Sequence, residues 1–241
     1  MSDWKKLESA FTSALKLSAA PVAVTFSAKA PEGVRKFLGS VPSSCSFWRV
    51  AQTAPAGKSA FFTEPSDHYN CPVGSYTHNV ALPVERAHEL DDVLGLMAKI
   101  GYLKMEEVPQ IPRWSSAPKA IVYSHLADAP STPDVVIFSL NANAAMLLGE
   151  ATKAANASAG MEPLGRPTCM SLAAAEQKGG TMSLGCVGNR VYTELESGQV
   201  YMILRGRDLD AVAASLSAIT NANEQLFAYH TGRKSSLLQL S

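Results

Sequence analysis

The chain has 241 residues, of which 46% are hydrophobic and 17% charged, as is typical of a folded globular protein. Its 21 basic and 21 acidic residues cancel, which argues against nucleic-acid binding and is compatible with association as a homodimer. Because no run of about 18 apolar residues occurs, we expect no membrane-spanning helix and no membrane partner. Residues 1–17 lack the apolar core of a signal peptide, which favours the cytoplasm, where thiols stay reduced.

Apolar spacing and turn residues predict the elements of the first half and of the connector. In chain order they are a first helix from Trp4 that Pro21 ends, a strand at 22–26, and a turn with a short helix or loop at 31–41. A helix at 45–54, a strand at 59–63, a polar loop at 65–76 and a helix at 84–100 follow.

The same signals predict the elements that follow. They are strands at 119–124 and 135–140, helices at 143–157 and 169–178, strands at 182–184 and 199–204, and a closing helix at 209–230 that breaks near Asn221.

An internal repeat is the most informative feature of the chain. Cys45 and Cys169 each follow a proline and one or two hydroxyl residues, and each opens a predicted helix that ends at glycine. A short predicted strand comes after each helix. It leads to a second cysteine beside glycine, Cys71 in the first half and Cys186 in the second. Similar elements in similar order predict an α/β (α+β) fold, one domain of two duplicated halves with mixed sheets flanked by helices. The halves are expected at about 15–82 and 119–205, with a connector at 83–118 and a C-terminal helix at 208–232.

The four cysteines are the candidate metal ligands. Cys45 and Cys169 lie at predicted helix starts, where free N–H groups favour a thiolate, whereas Cys71 and Cys186 lie in predicted glycine-bearing loops. A pseudo-twofold arrangement of the halves would bring all four together across one interface. The candidate cofactor-binding neighbours are Gly74, Gly188, Asn189 and Arg190.

Three functions fit this pattern. The first is an iron–sulfur protein with a [4Fe–4S] cluster on the four cysteines, active in electron transfer or as an oxidoreductase or lyase on a small molecule, with that molecule or a redox protein as partner. The second is a cofactor-free enzyme or small-molecule binding protein that uses an activated Cys45 or Cys169. The third is a structural zinc protein, ranked last because paired Cys-x₂₋₄-Cys knuckles are absent.

The histidines allow one more arrangement, a mixed zinc site of His68, Cys71 and His78. The alternatives without a functional role are that the histidines are solvated loop residues and that the cysteines are buried free thiols.

Four segments of the chain resemble the family known as domain of unknown function 169. They are residues 21–24, 67–74, 133–138 and 183–190, the last reading Ser-Leu-Gly-Cys-Val-Gly-Asn-Arg. One departure is Val73, where the family pattern has a second glycine. The resemblance implies a single fold in which the cysteines matter and an origin among bacteria and archaea, many of them anaerobic, which suits an oxygen-sensitive cofactor. It implies no reaction.

Overall fold

The computed structural model describes residues 3–157 and 163–238. Its strands are β1 (Val22–Ser27), β2 (Arg35–Lys36), β3 (Phe61–Thr63), β4 (Ala120–His125), β5 (Val135–Asn141), β6 (Pro163–Leu164), β7 (Thr181–Ser183) and β8 (Gln199–Arg205). Its α-helices are α1 (Trp4–Leu15), α2 (Ser46–Thr53), α3 (Pro72–Thr77), α4 (His88–Lys99), α5 (Ala142–Ala154), α6 (Met170–Lys178), α7 (Val187–Thr193) and α8 (Leu209–Leu238). Over the residues described, none of the helices has the length and apolar character needed to cross a membrane.

One face of the sheet is covered by α1, α5 and α8. Helix α1 begins where the Asp3 side chain accepts a hydrogen bond from the backbone N–H of Lys6 at 3.1 Å, which satisfies one of the free donors of the first turn. Its buried residues recur every three or four positions and pack against alternate residues of β5. These residues are Trp4, Leu7, Phe11 and Leu15 on the helix, and Val136, Phe138 and Leu140 on the strand.

The opposite face of the sheet carries the four helices that the cysteines precede. Phe47 of α2 and Leu172 of α6 are fully buried in the core that includes Val135 and Ile137 of β5. Helix α3 contacts α6, and α7 contacts α2. The four helices therefore form one layer, in which Cys45 lies in the core against the sheet, Cys169 is buried, and Cys71 and Cys186 are partly exposed.

All eight described strands belong to one mixed sheet with the order β2-β3-β4-β1-β5-β8-β7-β6. The antiparallel pair β1–β5 lies at the centre of the sheet. Outward from β1 the strands are β4, β3 and β2, and outward from β5 they are β8, β7 and β6. The outermost pair is parallel in both halves, β2 with β3 and β6 with β7. An antiparallel central pair with matching flanks is what a twofold axis perpendicular to the sheet produces.

The strand register follows the same symmetry. Tyr123 of β4 pairs with Phe61, and Ile203 of β8 pairs with Thr181. The same two residues face β1 and β5 at corresponding positions, because Tyr123 pairs with Val24 and Ile203 with Ile137. The α/β class is confirmed, with one sheet shared by both halves in place of separate sheets. Descent of the halves from one duplicated unit, and their proposed boundaries, stay predictions.

Several predicted elements differ from those observed. The stretch expected as one helix at 84–100 is a 3-10 turn at Val84–Arg86 followed by α4, and the closing helix continues through Asn221 to Leu238. The short parallel strands β2 and β6 were not expected, because two residues show no alternation.

Candidate functional site

Each of the four cysteines immediately precedes an α-helix. Cys45 stands before α2, Cys71 before α3, Cys169 before α6 and Cys186 before α7. Cys71 and Cys186 lie just outside these helices, but the stretch predicted as one polar loop at 65–76 contains a 3-10 turn at Pro65–His68 and most of α3. Pro72 occupies the first position of α3, where its fixed φ and missing N–H suit a helix start, and this signal was available in the sequence.

Contact between the first two cysteine segments runs through Ser44 and Gly74. The backbone N–H of Gly74 donates to Cys71 Sγ at 3.3 Å. A Cβ added at Gly74 would overlap the side chain of Ser44 and lie 3.0 Å from Cys71 Sγ. Glycine is therefore required at this position, because the chain before Cys45 lies directly against the start of α3.

The third and fourth cysteine segments are joined to each other and to α3. Helix α3 contacts α6, the helix that Cys169 precedes, and the hydroxyl of Thr77 at the end of α3 donates to the backbone carbonyl of Gly74 at 3.0 Å. The backbone N–H of Cys186 donates to Thr168 Oγ1 at 2.5 Å, which joins the start of α7 to the start of α6.

Asn189 lies on α7, which contacts α2, the helix that Cys45 precedes. Its side chain is 2% exposed and packs against Gly185, where a Cβ would lie 3.2 Å from Asn189 Oδ1, and neither polar atom of the amide has a hydrogen-bond partner among the described residues. Contacts thus link all four cysteine segments: Ser44 against Gly74, α3 against α6, Thr168 with Cys186, and α7 against α2.

The thiols also influence one another electrostatically. The pKa of Cys45 is raised to about 11, chiefly by burial, and the charges of Cys71 and Cys186 act in the same direction. Burial raises the pKa of Cys169 well above its usual range, and the charges of the other three cysteines act in the same direction. Charges interact in this way over distances of roughly 10 Å or less.

These directions overturn the expectation that helix starts lower the pKa of Cys45 and Cys169. Both residues are only 8% exposed, so loss of hydration opposes the thiolate more strongly than the free N–H groups of the helix favour it. Without a bound cation, both thiols are protonated at neutral pH.

Within the residues described, no three His, Cys, Asp or Glu side chains converge as the ligands of one metal ion must. A mixed site of His68, Cys71 and His78 is disfavoured in particular, because both ring nitrogens of His68 have other partners. Its Nδ1 lies 3.0 Å from Ser44 Oγ and its Nε2 lies 2.8 Å from Thr63 Oγ1.

The two histidines are not solvated loop residues, as the polar context had suggested. His68 and His78 are each 1% exposed, and their rings pack edge to face at 5.4 Å. Burial lowers the pKa of His78 to about 4 and that of His68 well below its usual range, so both rings are neutral at pH 7. The sequence offers no sign of this burial, since it results from tertiary contacts of His78 with Phe26 and of His68 with Phe47.

Unsatisfied polar atoms surround the cysteine segments. Among the described residues, buried side-chain nitrogen and oxygen atoms without a hydrogen-bond partner occur in Trp48, His78, Tyr123 and Asn189. Trp48 lies on α2, the helix that Cys45 precedes, and His78 stands at the end of α3, the helix that Cys71 precedes. The charges of Cys45 and Cys169 act to raise the pKa of the Tyr123 hydroxyl, after burial as the main cause. Buried polar groups are nearly always hydrogen-bonded in native proteins, so their concentration here points to a bound group.

Two predicted cofactor-binding residues have other roles in this structure. Arg190 uses its guanidinium to bind the backbone carbonyls of Leu184, Glu196 and Gln199, which fixes the chain before and after α7. A Cβ at Gly188 would come no closer than 3.7 Å to any neighbour, the ring of Tyr192, so the protein itself does not require glycine there. Tyr123 and Trp48 were not anticipated, because a strand aromatic and a helix aromatic look like ordinary core residues.

A family model matches most of the chain. It is DUF169, described as "Uncharacterised ArCR", and it covers residues 10–215, which include all four cysteines and the whole sheet. No curated protein and no solved structure gives a significant match.

Proposed function

This chain belongs to the domain of unknown function 169 family, whose description names no reaction, and we propose from its site that it is an iron–sulfur protein. Cys45, Cys71, Cys169 and Cys186 would hold one [4Fe–4S] cluster between the two halves. The single observation that carries the proposal is the set of contacts that links the four cysteine segments, with unsatisfied buried polar atoms on neighbouring residues.

The chemistry of the donor set supports a cluster. Thiolates are the ligands that iron–sulfur clusters require, and a cubane holds its four sulfur ligands roughly 6 to 7 Å apart. That spacing is wider than the spacing around a single tetrahedral ion, so a cluster site does not need three ligands grouped around one ion.

Charge compensation also supports a cluster. Cys45 and Cys169 are buried thiols whose ionisation is unfavourable in the protein alone. The positive charge of bound iron would stabilise both thiolates, so that binding releases their protons and contributes to folding stability. A bound cluster would supply one-electron chemistry or, with three cysteine ligands, a Lewis-acidic iron for a small substrate.

The two alternative functions have less support. A cofactor-free thiol enzyme needs a cysteine with a lowered pKa, and burial raises the pKa of both candidate nucleophiles, Cys45 and Cys169. A structural zinc site needs ligands already grouped around one ion, and the described residues contain no such group.

Two surface features support a small-molecule substrate and a protein partner. A cleft of about 190 Å³ is lined by Tyr201, whose pKa is raised by burial and by the Cys45 charge, so the cleft adjoins the cysteine region. Leu184, Val187 and Val191 expose more than half of their surface beside Cys186, as apolar residues at protein contacts do. We place the protein in the cytoplasm, where its thiols stay reduced.

Anaerobic reconstitution tests the proposal. The wild-type chain, loaded with iron and sulfide under argon, should contain about four iron and four sulfide per chain and absorb broadly near 400 nm. Cys45→Ser and Cys169→Ser, which remove one ligand from each half, should each lose most of the iron. His88→Ala, which changes an exposed histidine on α4, is the matched control and should load fully.

The outcomes separate the three functions. A colourless wild-type chain without iron after reconstitution would end the iron–sulfur proposal. Zinc bound in its place, with unfolding on chelation, would favour the structural zinc protein. Rapid alkylation of one thiol with an apparent pKa below about 8.5 would favour the thiol enzyme.

A further inference from the structure

The hydroxyl of Tyr123 is a buried donor without an acceptor. Tyr123 lies on β4, is completely buried, and has its ring stacked against Phe47 at 5.5 Å and Phe61 at 5.6 Å between ring centroids. These contacts fix the ring, so the hydroxyl cannot turn toward solvent. Tyr123 and Cys45 belong to the same buried cluster, and besides burial the charges of Cys45 and Cys169 act to raise the pKa of the hydroxyl.

The Asn189 amide is a second buried donor without a partner, and it approaches from the opposite layer. It lies on α7, three residues after Cys186, and both of its polar atoms are unsatisfied. Gly185 holds the side chain from one side, and α7 contacts α2, the helix that Cys45 precedes. One donor therefore comes from the sheet and the other from the helical layer, and both lie on elements that pack against α2.

We propose that the Tyr123 hydroxyl and the Asn189 amide donate hydrogen bonds to sulfur atoms of the cluster or of its cysteine ligands and thereby raise its reduction potential. This inference rests on the proposed function. An added electron increases the negative charge on the sulfurs, so neutral donors aimed at them stabilise the reduced state more than the oxidised state. The same bonds would satisfy two groups that are costly to leave unpaired in a buried site.

Anaerobic redox titration of loaded variants tests the inference. Tyr123→Phe and Asn189→Leu remove the donors with little change in volume, and each should lower the midpoint potential while iron and sulfide contents stay at the wild-type level. The matched control is Tyr76→Phe, because the Tyr76 hydroxyl already donates to the backbone carbonyl of Val108 at 3.3 Å. The midpoint potential of the cluster in this variant should equal that of the wild type.

Thermal unfolding of the same variants gives a second readout. Without iron, Tyr123→Phe should melt at or above the wild-type temperature, because it removes an unsatisfied hydroxyl. With the cluster bound, it should melt below the wild type, because it then removes a hydrogen bond. A purely structural role for Tyr123 would move both melting temperatures in the same direction.

Two results would overturn the inference, and they are distinguishable. Wild-type potentials in both fully loaded variants would refute the role of the donors while the iron–sulfur proposal stands. Failure of the wild-type chain itself to take up iron would remove the proposed function and this inference together.

Discussion

Cys45 shows how burial and charge oppose each other at the scale of single residues. Its thiol lies 3.1 Å from Ser43 Oγ and near the Asn189 amide, and both contacts favour the thiolate. Loss of hydration nevertheless outweighs them and raises the pKa to about 11. A buried thiol of this kind becomes a thiolate only with a positive partner, which is why its protonation and cluster binding should be linked.

The iron-free protein should therefore lose stability as the pH rises from about 8 to 11. Because the folded pKa of Cys45 lies above its unfolded value, the folded state keeps a proton that the unfolded chain releases, and unfolding becomes easier. A rise from 9.0 to about 11 corresponds to a loss of roughly 3 kcal/mol, at about 1.4 kcal/mol per pH unit.

Urea unfolding at several pH values measures this effect under argon. Cys45→Ala should show a smaller loss than the wild type, and that difference isolates the contribution of Cys45 from the other groups that titrate in alkali. The free energy of unfolding of the cluster-loaded protein should change little over this pH range, because its cysteine thiols are already deprotonated. Parallel profiles for wild type and Cys45→Ala would contradict a raised pKa at this residue.

At the scale of elements, the approach of α3 to the chain before α2 depends on Gly74. The absence of a side chain there lets the α3 start lie against Ser44 and directs a backbone N–H at Cys71 Sγ. This contact joins two cysteine segments that are far apart in the chain, so it controls how Cys71 is presented to Cys45.

Gly74→Ala should destabilise the protein by about 1 to 3 kcal/mol, because the new methyl group forces either Ser44 or α3 to move. It should also reduce iron uptake, since Cys71 moves with the helix. Gly95→Ala is the matched control: this helical glycine has nothing within 4 Å of an added Cβ, and alanine there should stabilise α4 by about 0.5 to 1 kcal/mol. Equal stability of the two variants in urea unfolding would refute the packing described here.

Elements with strong local signals were predictable from the sequence, and the others were not. The apolar runs of β1, β4, β5 and β8 and the helices α2 and α6 were anticipated close to their observed bounds, although α2 ends at Thr53, before Pro55, and not at Gly57. Helices α3 and α7 have only six and seven residues, too few for a periodic pattern, and the Pro72 signal was outweighed by the polar residues around it. Which buried polar groups remain unsatisfied depends on tertiary contacts, so Tyr123 could not be singled out.

At the scale of the whole molecule, the sheet brings two similar half-sheets into one layer. Pairing of β1 with β5 at the centre joins them, and the strand order is the same when read outward from that pair. The repeat of cysteine-bearing elements was visible in the sequence, but this pairing joins distant segments and required the structure. Because α2, α3, α6 and α7 lie on one face, both halves direct their cysteine segments to the same side of the sheet.

The most direct test of the central claim is anomalous X-ray diffraction at the iron edge from crystals of the anaerobically loaded protein. A single four-iron peak bounded by the sulfurs of Cys45, Cys71, Cys169 and Cys186 is the predicted result, with Tyr123 and Asn189 at hydrogen-bond distance from sulfur. Iron bound by the cysteines of one half alone, iron elsewhere on the chain, or no iron at all would contradict it.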